Sequence, residues 1–157
     1  MTGTQSMESR TGRSKQRYNE IGERLVAGVV PLNESKTQVL LIRSDTRSNW
    51  VLPKGGWELD ESIIEAAKRE AWEEAGIICS INHDLGEIKE TRPPKHLKLA
   101  APKALYQFFE VTVIREESEW PESHKRIRYW ASYTEAREAL RSRPELIDAL
   151  DRSSIRK

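Results

Sequence analysis

Short apolar runs alternate with polar, turn-rich stretches along most of the chain, the pattern of strands set around a few helices. Residues 25–32, 39–43 and 105–114 carry the strongest runs and predict strands, the first closed at Pro31 or soon after. Residues 50–52 predict a short strand before Pro53, residues 77–90 a strand pair turned near 82–84, and residues 126–131 a last strand. Between them, Ser62 followed by Glu65 is a capping box that opens a helix. Ala66, Ala67, Ala71 and Ala75 keep one side of it slim enough to pack closely on a sheet, and Gly76 ends it as a left-handed residue. Ser132 with Glu135 repeats the signature for a helix to about residue 141, and Pro144 suits the first turn of a final helix over 145–150. Strands on both sides of a central helix, with later helical elements, predict an α/β/α sandwich with a mixed sheet. Residues 1–20, polar and basic, read as a flexible tail, disordered or draped over the surface. Residues 21–151 read as one folded domain and 152–157 as a C-terminal tail.

Composition narrows the class only a little. The 157 residues suffice for one domain with a real core, and 37% hydrophobic against 32% charged residues suits a globular protein with a wet surface. No apolar run approaches the roughly 18 residues of a bilayer span and no signal peptide is legible, so no membrane association is expected. The lone Cys79 cannot form an internal disulfide, and the expected location is reducing and intracellular, cytoplasmic and nuclear. A net charge of +1 hides an asymmetry: residues 58–74 hold seven acids and two bases, residues 89–103 five Lys or Arg and one acid. Blocks of opposite sign suit a metal site that also holds an anionic substrate, although each block alone reads equally as solvated surface.

The acidic block is the chemistry-bearing one. Glu70, Glu73 and Glu74 fall on one helical face, where like charges repel unless a cation sits among them. A divalent metal is the simplest such cation. Gly55 and Gly56 before the helix read as a tight turn that lets backbone approach a metal or a phosphate. A merely solvated acidic face explains the glycines and the intervening Arg69 poorly. Trp72 reads as packing, while Trp57, beside the glycines, reads equally as packing or as pocket border.

Gly55, Glu61, Arg69, Glu70, Ala71, Glu73, Glu74, Gly76 and Ile77 stand at the spacing of the Nudix box, and the segment resembles that family at every specified position. The resemblance implies a Nudix fold and a metal-dependent hydrolase of phosphoanhydrides, with Mg²⁺, or Mn²⁺ in its place. Glu70 and Glu74 would be first ligands, the Gly55 carbonyl a third, and Glu73 would join a second metal or position water. Arg69 would orient a glutamate, and Glu61 would support Arg69 or reach the outer metal shell. The general base stays open between Glu73 and a residue outside the box.

Flanking segments extend the likeness over about residues 10–151. RSKQRYNEIGER at 13–24, WVLPKGGWE at 50–58, ETRPPK at 90–95 and KRIRYW at 125–130 resemble diphosphoinositol polyphosphate and diadenosine polyphosphate phosphohydrolases in the style of fungal and plant members, the PPK segment and the ending from residue 143 being most fungal-like. This resemblance implies phosphate-binding roles for Arg24, Ser44, Arg47, Lys54, Gly55, Gly56, Arg126 and Arg128. Strand alternation could place Arg126 and Arg128 on one face. Lys95, His96 and Lys98 lie in a stretch that departs from the animal pattern and cannot be transferred individually. They are candidate entrance residues only. The implied partner is a small polyphosphorylated molecule, an inositol pyrophosphate or a dinucleoside polyphosphate, met by a monomer. Inorganic polyphosphate, capped RNA, or a silent phosphate-binding module are the alternatives.

Overall fold

A computed structural model of the chain describes residues 5–12, 14–91 and 103–157. Strand β1 (Arg24–Leu32) is the centre of the architecture. It pairs in parallel with β5 (Ala104–Glu116) and antiparallel with β2 (Val39–Ser44) and β3 (Lys54–Gly56). Beyond these, β4 (Ile77–Lys89) pairs with β5 and β6 (Arg126–Ala131) with β2, giving the order β4-β5-β1-β2-β6 in a mixed six-stranded sheet. Helix α1 (Ile63–Ala75) lies on one face, with α2 (Tyr133–Ala139) and α3 (Pro144–Arg152) on the other, as the expected sandwich requires.

Both faces of β1 are covered, which is why it reads as an almost unbroken apolar run. Ala27 and Val29 pack with Ala66, Ala67, Ala71 and Ala75 of α1, whose small side chains bring the helix backbone near the sheet. Val26, Val30 and Leu32 face the opposite core with Leu140, Leu146 and Leu150. Both capping boxes form, through Ser62 with Glu65 and through Ser132 with Glu135. Gly76 ends α1 at φ 66°, and an added Cβ there would stand 2.6 Å from the Trp120 ring. A side chain at this position would therefore meet both backbone strain and a clash.

Three expectations need correction. Residues 50–52 form no strand: Val51 makes a single bridge to Ile42, and the short strand is instead Lys54–Gly56. Gly55 and Gly56 are extended and paired with Ala27 and Val26, so they form an edge of sheet rather than a turn. Likewise, 77–90 is not a turned pair but one strand, β4, whose register against β5 slips around His83 and again between Asp84 and Glu87. The Asn82 amide is consumed by Glu110 and Thr112 at 2.9 Å each, so it is not available to build a turn.

Both ends of the described part of the chain are tied down. Arg17 donates its amide to Trp57 and accepts from Leu25, while Gln16 is buried and bridges to Glu58. At the other end Ser154 donates twice to the fully buried Glu110, and Ile155 is buried. Among the described residues, no helix is long and apolar enough to cross a membrane.

Candidate active site

Helix α1 and strand β3 meet at the chemistry. A Cβ on Gly55 would lie 2.2–2.4 Å from the Glu70 carboxylate, so only glycine lets this backbone and that side chain approach. Gly56 is crowded in the same way by the Gln16 amide oxygen, 2.0 Å from where its Cβ would stand. These close approaches, not a turn, explain the two glycines. The strand residue before them, Lys54, donates its backbone N–H to Glu74 Oε1 at 3.1 Å.

Arg69 is the hub of the acidic face. Its Nε and Nη2 grip both oxygens of Glu61 at 2.9 and 2.7 Å, and Nη2 also reaches the Gly56 carbonyl at 2.9 Å. Nη1 spans Glu70 at 2.9 Å and Glu73 at 3.2 Å. Glu61 precedes the helix cap and is fixed further by the Glu58 amide, so it supports Arg69. Glu70, Glu73 and Glu74 line a cavity of ≈ 290 Å³ whose wall also includes Arg24, Lys54, Arg10 and Glu122.

Burial, reinforced by the charge of Glu74, pushes the Glu70 carboxyl well above its usual range despite Arg69. Burial likewise raises Glu74 against the pull of Lys54 and Arg126, and raises Glu73 against Arg69. Burial lowers Lys54, which Glu74 only partly offsets. Carboxylates this reluctant to ionise are short of positive charge, and their hard oxygen donors beside the Gly55 backbone fit Mg²⁺ or Mn²⁺. Among the described residues no three such side chains yet converge on one point.

The sign of the resulting pH dependence follows from linkage. Glu70 and Glu74 are harder to ionise folded than unfolded, so their contribution to stability is complete below the unfolded carboxylate range. It is lost as pH rises through the raised values, between about pH 4.5 and pH 8. Glu110 and Glu145 are lowered, burial being outweighed by their hydrogen bonds, and so act below that window. We expect the Tm in EDTA to fall across the window, more shallowly for Glu70→Gln, and added Mg²⁺ to restore it at the alkaline end. A Tm that rises from pH 5 to 8 without metal, equally in both proteins, would contradict this account.

The remaining sequence-predicted residues divide. Arg24 lines the cavity and donates Nε to Gln16 at 3.0 Å. Arg126 lies 3.8 Å from Glu74 and donates to Glu122 at 2.9 Å. Arg128 points to the same α1 side, but its Nη1 donates to the Ala75 and Glu117 carbonyls and its guanidinium covers the Trp120 ring. Ser44 and Arg47 cluster at the end of β2, Ser44 with Thr46, and neither lines the cavity. Lys95, His96 and Lys98 lie outside the described residues. Trp72 is packed, as expected, and Trp57 donates to the Glu61 carbonyl away from the cavity. Sequence reasoning missed Glu122, Arg10 and Gln16. The tail residues lie in a polar stretch without periodicity, and Glu122 sits in an irregular connection, so no pattern marked them.

A buried glutamate cluster braced by one arginine against a glycine-lined strand is the architecture of a Nudix hydrolase. The chain belongs to that family: the NUDIX domain model matches residues 22–152. It is 42% identical over 147 residues to Nudix hydrolase 17, mitochondrial, of Arabidopsis thaliana, covering 86% of this chain and 76% of that protein. Nudix hydrolase 16, mitochondrial, of the same plant is 39% identical over 156 residues, covering 90% of this chain and 85% of that protein. A NUDIX hydrolase from Nitrosomonas europaea shares the fold, with a TM-score of 0.68 at 20% identity over 83% of this chain and 87% of its own. The activity is accordingly that of a Nudix-type pyrophosphohydrolase, cleaving phosphoanhydride bonds. The expected cytoplasmic and nuclear location is overturned: these two relatives, and others at 35–41% identity, are mitochondrial or chloroplastic proteins.

Proposed function

We propose that the chain is a diphosphoinositol-polyphosphate diphosphatase of fungal-like type, removing the β-phosphate of diphosphoinositol polyphosphates and cleaving Ap6A and Ap5A. The observation that carries this reading is the basic wall set on the acidic floor. Arg24 and Lys54 line the cavity and Arg126 stands against Glu74. A single diphosphate needs fewer cations than this, whereas a ring crowded with phosphates uses them all.

Glu70, Glu74 and the Gly55 carbonyl would hold Mg²⁺ or Mn²⁺, with Glu73 at a second ion. When bound, the metal supplies charge neutralisation on the phosphates and a more acidic water. The protein's own groups do the rest. Arg69 keeps Glu70 and Glu73 oriented. The wall cations align the diphosphate, so that water oxygen bonds to phosphorus as the bond to the bridging oxygen breaks and that oxygen keeps the electron pair. Glu73, whose proton affinity burial raises, is suited to take the proton from the water.

The test is turnover with Mg²⁺ or Mn²⁺ of 5-diphosphoinositol pentakisphosphate, Ap6A, capped RNA and inorganic polyphosphate side by side. The inositol substrate should have the highest kcat/KM. A ranking led by polyphosphate or capped RNA would replace this reading with a different substrate class. No turnover of any of the four would leave a silent phosphate-binding module.

A further inference from the structure

Arg69 stands in the wall of a second cavity as well, of ≈ 460 Å³ against ≈ 290 Å³ for the catalytic one. Trp72, Ile77, Ile78 and Cys79 give this second cavity an apolar lining. That size, and an apolar lining with a few polar groups beside it, are typical of sites for small organic molecules. Burial pushes the Cys79 thiol up to about 11, so the sulfur serves as packing surface rather than as a nucleophile. The Trp72 indole N–H is taken by the Ser6 carbonyl at 2.7 Å, which leaves the cavity only the carbon surface of the ring. The charge left at the mouth is positive. Lys68 is exposed, makes no ion pair among the described residues, and stands close enough for its charge to act on the Cys79 sulfur. Glu65, in the same wall, turns an oxygen to the Ser62 amide at 2.8 Å, where it closes the helix cap. Arg69 brings no spare donor, because Nε, Nη1 and Nη2 are spent on Glu61, Glu70, Glu73 and the Gly56 carbonyl. A molecule pressing on Arg69 from this cavity therefore acts on the carboxylates of the other.

We propose that this second cavity binds a small amphipathic anion, a compact apolar body carrying one carboxylate or sulfonate, and that its occupancy slows the enzyme through Arg69. The apolar body lies against Trp72, Ile77 and Cys79, and the anionic group meets Lys68 at the mouth. Arg69 is displaced, and Glu70 and Glu73 lose the orientation that hydrolysis requires. The site goes beyond the substrate reading above and is the same whichever polyphosphate is cleaved.

The probe is anilinonaphthalene sulfonate, whose fluorescence rises in apolar surroundings, titrated into the full chain. One saturable site is expected. Lys68→Gln should weaken it about threefold and Lys68→Glu about tenfold, the scale of an exposed charge contact first lost and then reversed. Arg24→Ala alters the wall of the catalytic cavity only, and should bind the probe as wild type does. Saturating probe should lower kcat about fivefold or more on whichever of the four substrates is turned over, with KM changed by less than about twofold. No saturable binding, equal affinity of wild type and Lys68→Glu, weakening by Arg24→Ala, or a bound probe that leaves kcat unchanged would each overturn the proposal. Probe binding that depends on Lys68, in a chain that hydrolyses none of the four substrates, would sustain the site and count against the substrate reading alone.

Discussion

Glu70→Gln should lower kcat by about 10³-fold and at the same time raise the Tm of the protein in metal-free buffer at neutral pH. The two effects share one cause. Glu70 is buried beside Glu74, and its ionised form is disfavoured by burial and by that second charge, so the wild-type fold carries a repulsion that an amide removes. The amide can still accept from Arg69, which now donates to the Glu70 oxygen at 2.9 Å, and it fits the space beside Gly55. A charged oxygen donor is what the substitution deletes, and removing one electrostatic contributor to phosphoryl chemistry costs a factor of this order. Thermal melts with EDTA and initial rates with saturating Mg²⁺ measure the two halves. A mutant equally active and equally stable would show that Glu70 neither serves the reaction nor strains the fold through its charge. Glu61→Gln is expected to lose less activity, because Glu61 acts through Arg69. Equal losses of kcat in metal-saturated assays would place Glu61 among the ligands.

What makes Glu70 legible from sequence is that the motif is local. Caps, alanines and carboxylates all lie on one helix, where spacing alone decides which side chains share a face. Elements built by distant partners are less readable. Lys54–Gly56 is a strand because β1 pairs with it, and nothing in two glycines announces that. Asn82 reads as a turn former, yet it serves Glu110 and Thr112 on the neighbouring strand. Alternation correctly brings Arg126 and Arg128 to one side of β6. Which of them meets a carboxylate depends on the connection carrying Trp120 and Glu122, and that has no period. The tail is the extreme case: its polar composition resembles disorder, and what holds it is distant in sequence, backbone groups exchanged with β1 and Trp57 and hydrogen bonds to Trp72, Glu73 and Glu122.

Arg69→Met should destabilise the metal-free protein by about 3–5 kcal/mol at neutral pH, the range for stripping one partner from a buried charge network. The guanidinium contacts Glu61, Glu70 and Glu73 within 3.2 Å and Glu58 at 3.6 Å. Burial works against its charge, but the surrounding carboxylates outweigh burial and push its proton affinity up. Methionine keeps much of the aliphatic stem and removes the charge together with its hydrogen-bond donors, most of which serve carboxylates, so the deficit should depend on whether those carboxylates are ionised. Without Arg69 the Glu70 and Glu73 carboxyls rise further, and the lost stability returns as pH falls toward the ordinary carboxylate range. Urea unfolding at about pH 5 and pH 8 separates this from a packing effect, which would give the same deficit at both. Added Mg²⁺ distinguishes a structural arginine from one that balances a metal site. A divalent cation bound among the same oxygens replaces the missing charge and should recover much of the stability at pH 8. Activity should not return with it, because the cation cannot reproduce the fork that fixes the orientation of Glu70 relative to Glu73.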